Sequence, residues 1–128
     1  MTVRVLVVED SSAMRAFVRA TLESDGDYEV TEAASGFEAL RVLPRATFDL
    51  AVLDINMPDI NGLELISFMR KTDAHKHTPL IVISTEASDR DRTRALELGA
   101  NAFVPKPFTP EDLLAAVSRL LSSTASGG

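Results

Sequence analysis

A chain of 128 residues with a net charge of −6 and no cysteine has the size of a single domain, and it excludes disulfides, thiol catalysis and thiolate metal sites. The acidic balance argues against direct binding of nucleic acid or of anionic membranes, which favour basic surfaces. The hydrophobic fraction of 45% and charged fraction of 25% are those of an ordinary soluble domain. No stretch approaches the roughly 20 apolar residues that span a bilayer, and Met1-Thr2-Val3-Arg4 does not begin a signal peptide, so a cytoplasmic location is expected.

In chain order, Val3–Val8 is a continuous apolar run that ends on Glu9-Asp10. Such runs suit parallel strands covered on both faces. Met14, Phe17, Val18, Thr21 and Leu22 then recur with helical spacing, with Ser11 or Ser12 as N-cap. Tyr28–Ala33 alternates polar and apolar residues, so one face of this strand is expected to be less buried. Phe37, Leu40 and Leu43 form a second helical stripe, expected to face the sheet, with Ser35 at its start and Pro44 near its end. Leu50–Leu53 is a second continuous run, capped by Asp54 and followed by Ile55-Asn56-Met57-Pro58.

Asn61-Gly62 opens a third helix bearing Leu63, Leu65, Ile66 and Met69. The polar connection Thr72–Thr78 carries His75 and His77, read as solvent-exposed; a metal site there lacks further ligands. Leu80–Ser84 is the fourth strand. A more polar helix with Arg90, Arg92, Arg94, Ala95, Leu96 and Leu98 follows and stops at Gly99. Asn101–Val104 is the fifth strand, with Lys106 just beyond it. Thr109 caps the last helix, Pro110 is its first residue, and Leu113, Leu114, Val117, Leu120 and Leu121 line one side. Residues 1–121 form the domain, and the Ser/Gly-rich tail 122–128 is expected to be disordered.

Regular alternation of strand and helix implies an α/β fold: a doubly wound, five-stranded parallel sheet with right-handed crossovers and helices on both faces. Open sheets of this kind bind ligands at the carboxyl ends of their strands. Glu9, Asp10, Asp54, Ser84 and Lys106 all fall at such ends. Singly, each has an ordinary explanation as a turn former, a cap or a solvated lysine. Together they make a site. Three converging carboxylates need neutralising, and Mg²⁺ (or Mn²⁺) held by oxygens is the usual solution. Adding an ammonium and a hydroxyl gives the donors that a phosphoryl group requires. An aspartate is ordinarily ionised at neutral pH, so Asp54 needs no general base to act as a nucleophile.

At these residues the chain resembles the receiver domain of two-component response regulators, in its single-domain, chemotaxis (CheY-like) form. The matching segments are Val8-Glu9-Asp10, Leu53-Asp54-Ile55-Asn56-Met57-Pro58, Gly62, Ile83-Ser84-Thr85-Glu86-Ala87, Gly99-Ala100 and Lys106-Pro107-Phe108. The resemblance implies the flavodoxin-like three-layer fold with strand order 2-1-3-4-5 and a cis Lys106-Pro107 bond. It implies that Asp54 is the phosphoacceptor, and that Asp10, Asp54 and the backbone carbonyl of Asn56 are metal ligands, with Glu9 acting through water. Ser84 and Lys106 take the phosphate-sensing positions, Phe103 the aromatic switch position, and Asn56 and Glu86 the positions that tune dephosphorylation.

The implied protein is a signalling switch and not an enzyme. Its partners are a sensor histidine kinase and a downstream target protein on the face of the fourth helix, fifth strand and fifth helix. No nucleic-acid contact or membrane insertion is implied, and the oligomeric expectation is a monomer or a weak phosphorylation-dependent dimer. A receiver taken from a longer regulator is the alternative. A phosphoaspartate-type hydrolase is disfavoured because Asn56 stands where its second acid is needed, and a flavodoxin-like carrier because Glu9-Asp10-Ser11-Ser12 is not a phosphate loop. Three positions depart from the commonest pattern: Glu9 for Asp, Phe103 for Tyr, and Thr85 for a smaller residue that would leave the phosphodonor easier access.

Overall fold

The computed structural model describes residues 2–85 and 89–127. Five strands form one parallel sheet in the order β2-β1-β3-β4-β5: β1 (Val3–Val8), β2 (Tyr28–Ala33), β3 (Leu50–Asp54), β4 (Leu80–Ser84) and β5 (Ala102–Pro105). Between them lie α1 (Ser12–Asp25), α2 (Gly36–Val42) with a 3₁₀ turn at Leu43–Arg45, α3 (Gly62–Lys71) and α4 (Asp89–Leu98), and α5 (Pro110–Gly127) follows β5. The expected fold class and strand order are the observed ones, and the Lys106-Pro107 bond is cis.

The two-residue period of a strand divides its side chains between two cores. Leu6, Val8, Ala51, Leu53, Leu80 and Val82 face one layer, with Ala39 of α2, Leu65, Ile66 and Met69 of α3, and Ala95 of α4. Val5, Val7, Leu50, Val52, Ile81 and Ile83 face the other, with Val18 and Leu22 of α1 and Leu113, Ala116 and Val117 of α5. Every residue of β3 and β4 is buried, which is why their sequences read as unbroken apolar runs. β2 is an edge strand and is less buried than β3 and β4, with Val30 and Ala33 its buried residues. Among the described residues no helix is long and apolar enough to cross a membrane.

The expected caps are present. Ser11 accepts from Met14 N–H at α1, Ser35 from Glu38 N–H at α2 and Asn61 from Leu63 N–H at α3. At α5, Thr109 and Asp112 bond reciprocally, the Asp112 N–H donating to Thr109 Oγ1 and the Thr109 N–H to Asp112 Oδ2.

Two expectations need correction. Phe37 does not face the core and is 58% exposed. Helix α2 instead turns Gly36 and Ala39 inward, because Gly36 lies against Ile60, whose Cβ would be 2.6 Å from any Cβ added there. His75 is not exposed: it is buried, and its Nε2–H donates to the carbonyl of Leu43 at 2.7 Å. Arg70 folds the polar connection over it, with Nη1 donating to the carbonyls of His75, Lys76 and Thr78. Helix α5 runs from Pro110 to Gly127.

Asp59 adds a tether that the sequence does not advertise. Its carboxylate accepts from Gly36 N–H and Phe37 N–H at the start of α2, tying that helix to the loop after β3. The Phe37 amide, helped by those of Ile60 and Gly36, lowers its pKa from 3.8 to about 2. For a depressed carboxyl the stabilisation is present above the ordinary value and is lost as pH falls through about 2. A carbon-detected NMR titration should therefore give Asp59 a midpoint near about 2; a midpoint at 3.8 would show that the tether is absent in solution.

Candidate functional site

Parallel register brings the carboxyl ends of β1, β3, β4 and β5 to one edge of the sheet. Asp54 is the last residue of β3 and lies opposite Ile83, and the Ile55 N–H donates to the Ile83 carbonyl at 3.3 Å. Ser84 closes β4 opposite Pro105, and the Lys106 N–H donates to the Ser84 carbonyl at 2.8 Å. The Glu9 N–H donates to Ala33 of β2. These main-chain bonds, not the side chains, fix where each functional group emerges.

At that edge Glu9, Asp10 and Asp54 offer carboxylate oxygens that lie within 4.8 Å of one another. Glu9 is 1% and Asp54 3% exposed, whereas Asp10 opens to solvent. The Lys106 ammonium donates to Glu9 Oε2 at 2.7 Å and reaches Asp54 Oδ2 at 3.5 Å. The Asn56 N–H donates to Asp54 Oδ1 at 3.0 Å, and the Asn56 side-chain amide donates to Ser84 Oγ at 3.0 Å. Asn56 therefore bridges the carboxylate on β3 and the hydroxyl on β4.

One ammonium does not neutralise three carboxylates. Burial pushes the Glu9 carboxyl above its ordinary value, and the Asp54 charge adds to this; the hydrogen bonds from Lys106 and the Ser11 N–H work against it. This set of hard oxygen donors around an excess of negative charge fits Mg²⁺, which needs only one or two carboxylates and completes its octahedron with water.

Phe103 sits apart from this cluster. It is half-buried on β5, with the Arg92 guanidinium 5.9 Å from its ring centre. Arg92, Leu96, Phe103, Pro105, Ala115 and Arg119 line a groove of about 560 Å³ between α4, β5 and α5. Thr85 is exposed beside Ser84, and Glu86 lies outside the described residues. The sequence reading passes over Arg15. Its Nη1 donates to the Glu9 carbonyl at 2.7 Å and the Asp10 carbonyl at 3.3 Å, and its only signal in the sequence is a place near the start of α1, close after the acids.

Comparison with known proteins agrees with this geometry. The family model of the response regulator receiver domain matches residues 5–118. The chain is 40% identical to chemotaxis protein CheY1 of Helicobacter pylori over 111 residues, covering 86% of this chain and 90% of that one. It superposes on the chemotaxis response regulator CheY4 of Vibrio cholerae with a TM-score of 0.88 and 38% identity, covering 94% of this chain and 100% of the other. The receiver domain of a sensor histidine kinase from Pseudomonas aeruginosa, solved with a magnesium ion coordinated in its active site cleft, aligns with a TM-score of 0.86 and 28% identity over 95% of this chain and 99% of that one.

Proposed function

The chain belongs to the response regulator receiver family, and from that premise we propose that it is a switch thrown by phosphorylation of Asp54. The observation that carries this reading is the single contact set around Asp54: one carboxylate oxygen held by the Asn56 N–H, the other facing the Lys106 ammonium, with Glu9 and Asp10 alongside. A carboxylate fixed in this way is preorganised as a nucleophile.

In the proposed reaction a carboxylate oxygen of Asp54 attacks the phosphorus of a phosphohistidine on a partner kinase. The new O–P bond forms as the N–P bond breaks, and its electron pair stays on the imidazole nitrogen. Asp10 and Asp54, with the Asn56 carbonyl, would hold Mg²⁺, and Glu9 would reach it through water. When bound, the ion supplies positive charge to the oxygens of the transferring phosphoryl. Lys106 supplies a second positive group, and the Ser84 hydroxyl a hydrogen-bond donor.

The acyl phosphate adds about −1.5 to −2 of charge beside Lys106. The ammonium then has a stronger partner than Glu9, and Ser84 a stronger acceptor than its resting contacts. Movement of Ser84 at the end of β4 would be passed to Phe103 on the neighbouring strand, and from there to the groove of α4, β5 and α5. A target protein with higher affinity for the phosphorylated state would read the change. Asn56, bonded to Ser84 and placed at the acceptor, is proposed to set the lifetime of the phosphoryl group, with Glu86.

The test is phosphoryl uptake from a small acyl-phosphate donor in the presence of Mg²⁺. Wild-type protein should gain an acid-labile phosphoryl group and the Asp54→Asn variant should gain none. Uptake by Asp54→Asn at the wild-type yield would sink the assignment.

A further inference from the structure

We infer that Arg15 is a positioning residue for cation binding, one that fixes the turn carrying Glu9 and Asp10 through a fork between that turn and Glu32 on β2. The inference rests on the reading of the acidic cluster as a Mg²⁺ site.

The turn after β1 must present two neighbouring acids to one small volume, in a segment that has left the sheet. The Glu9 N–H is the last group of the turn paired across to β2, through the Ala33 carbonyl. Beyond it, the carbonyls of Glu9 and Asp10 both accept from the same guanidinium nitrogen, Arg15 Nη1, at 2.7 and 3.3 Å. Two consecutive carbonyls drawn to one donor define the orientation of the peptide between them, and hence where the Asp10 side chain starts. From the other side the Ser11 N–H donates to Glu9 Oε1 at 3.0 Å.

Arg15 is itself held. Its Nε donates to Glu32 Oε1 at 3.1 Å, and Arg19 Nη1 donates to Glu32 Oε2 at 2.6 Å. The Arg15 side chain is only 17% exposed. Arg19, and after it Arg15, keeps the Glu32 carboxyl below its usual range. Glu32 is paired in register with Val7 on β1, so the fork is anchored to the strand that delivers the acids. A planar guanidinium can serve the two carbonyls and the carboxylate at once, whereas a lysine ammonium on a flexible stem lacks that fixed fork.

Electrostatics alone predicts the opposite of this proposal. Arg15 is a cation near a cation site, so its removal would strengthen Mg²⁺ binding, and Arg15→Lys, which keeps the charge, would change nothing. Positioning predicts that Arg15→Lys weakens binding, by about tenfold in Kd, the lower end of what loss of an outer support costs a metal site. Glu32→Asp, which keeps the charge but draws the anchoring carboxylate back from Arg15 by one methylene, should change nothing on electrostatics alone and give a smaller loss in the same direction if Arg15 positions the turn.

The experiment is calorimetric titration of the three proteins with MgCl₂, alongside the backbone carbonyl ¹³C shifts of Glu9 and Asp10 in the Mg²⁺-free state. Weaker binding in both variants, with those two carbonyl shifts moved, is the expected result. If Arg15→Lys does not fold, Glu32→Asp, which also keeps its charge, carries the same comparison. Wild-type affinity in whichever variants fold, whether or not their melting temperature falls, overturns the positioning role. Absence of Mg²⁺ binding by the wild-type protein overturns instead the reading of the cluster on which the inference stands.

Discussion

Replacing Lys106 with methionine should lower the stability of the Mg²⁺-free protein by about 3 kcal/mol at neutral pH, the order expected when one partner of a buried ion pair is removed. The Lys106 side chain is 11% exposed and bonds Glu9, whose side chain is 1% exposed, at 2.7 Å. Without the ammonium, Glu9 and Asp54 remain buried beside Asp10 with no cation in contact among the described residues. The pH dependence follows from the raised pKa of Glu9. The folded state holds that proton more tightly than the unfolded one, so its ionisation opposes folding as pH rises above the ordinary value of 4.5. Loss of Lys106 deepens this opposition. The deficit of Lys106→Met should therefore be largest at neutral pH and should narrow on acidification toward 4.5. Saturating Mg²⁺ should restore part of it, because an ion that binds only the folded state stabilises that state. Urea unfolding with chelator and with Mg²⁺, at several pH values, measures all three effects. A deficit independent of both pH and Mg²⁺ would mean that Lys106 matters only for packing.

Gly62→Ala should cost a comparable amount for a different reason. Gly62 begins α3, and its N–H donates to the Ile55 carbonyl at 3.0 Å, so the helix starts directly on the end of β3. An added Cβ would collide with the Asp54 carbonyl oxygen and come within 2.7 Å of the Ile55 Cα. Both are backbone atoms, which cannot turn aside as a flexible side chain would, so the strain falls at the upper end of overpacking penalties, about 3 kcal/mol. Relief of that strain moves Asp54, which carries the proposed acceptor carboxylate. The urea midpoint should fall with the slope unchanged, and phosphoryl uptake at Asp54 should slow in the molecules that remain folded. A variant within about 0.5 kcal/mol of wild type would show that the close approach of α3 to β3 is not a constraint.

How much of this was legible in the sequence depends on what decides each feature. β1, β3 and β4 are covered on both faces, and continuous apolar runs announce such strands. The acids and the hydroxyl were visible because each ends or follows one of those runs, the lysine because it follows the short fifth strand, and parallel topology then sends all of them to one edge. Phe37 was misplaced because the rotation of α2 is set by the approach of Ile60 to Gly36, a contact between segments that no periodicity reports. His75 was misplaced because its neighbours are polar; its burial follows from Arg70 gathering three carbonyls of the connection around it. Arg15 was passed over because what it holds at the acidic turn are backbone carbonyls, which carry no residue identity, and its carboxylate partner Glu32 lies on another element. Local pattern thus gave strands, caps and strand-end groups, and missed what depends on side chains reaching between elements.

The central claim is that the phosphoryl group resides on Asp54, and chemical trapping tests it most directly. An acyl phosphate is reduced by borohydride to the corresponding alcohol, so a phosphorylated aspartate is converted to homoserine. After incubation with phosphodonor and Mg²⁺, peptide mass spectrometry of the reduced protein should find homoserine at position 54 and at no other aspartate. Homoserine at Asp10 or Asp59, or phosphorylated protein with position 54 still aspartate, would contradict the account.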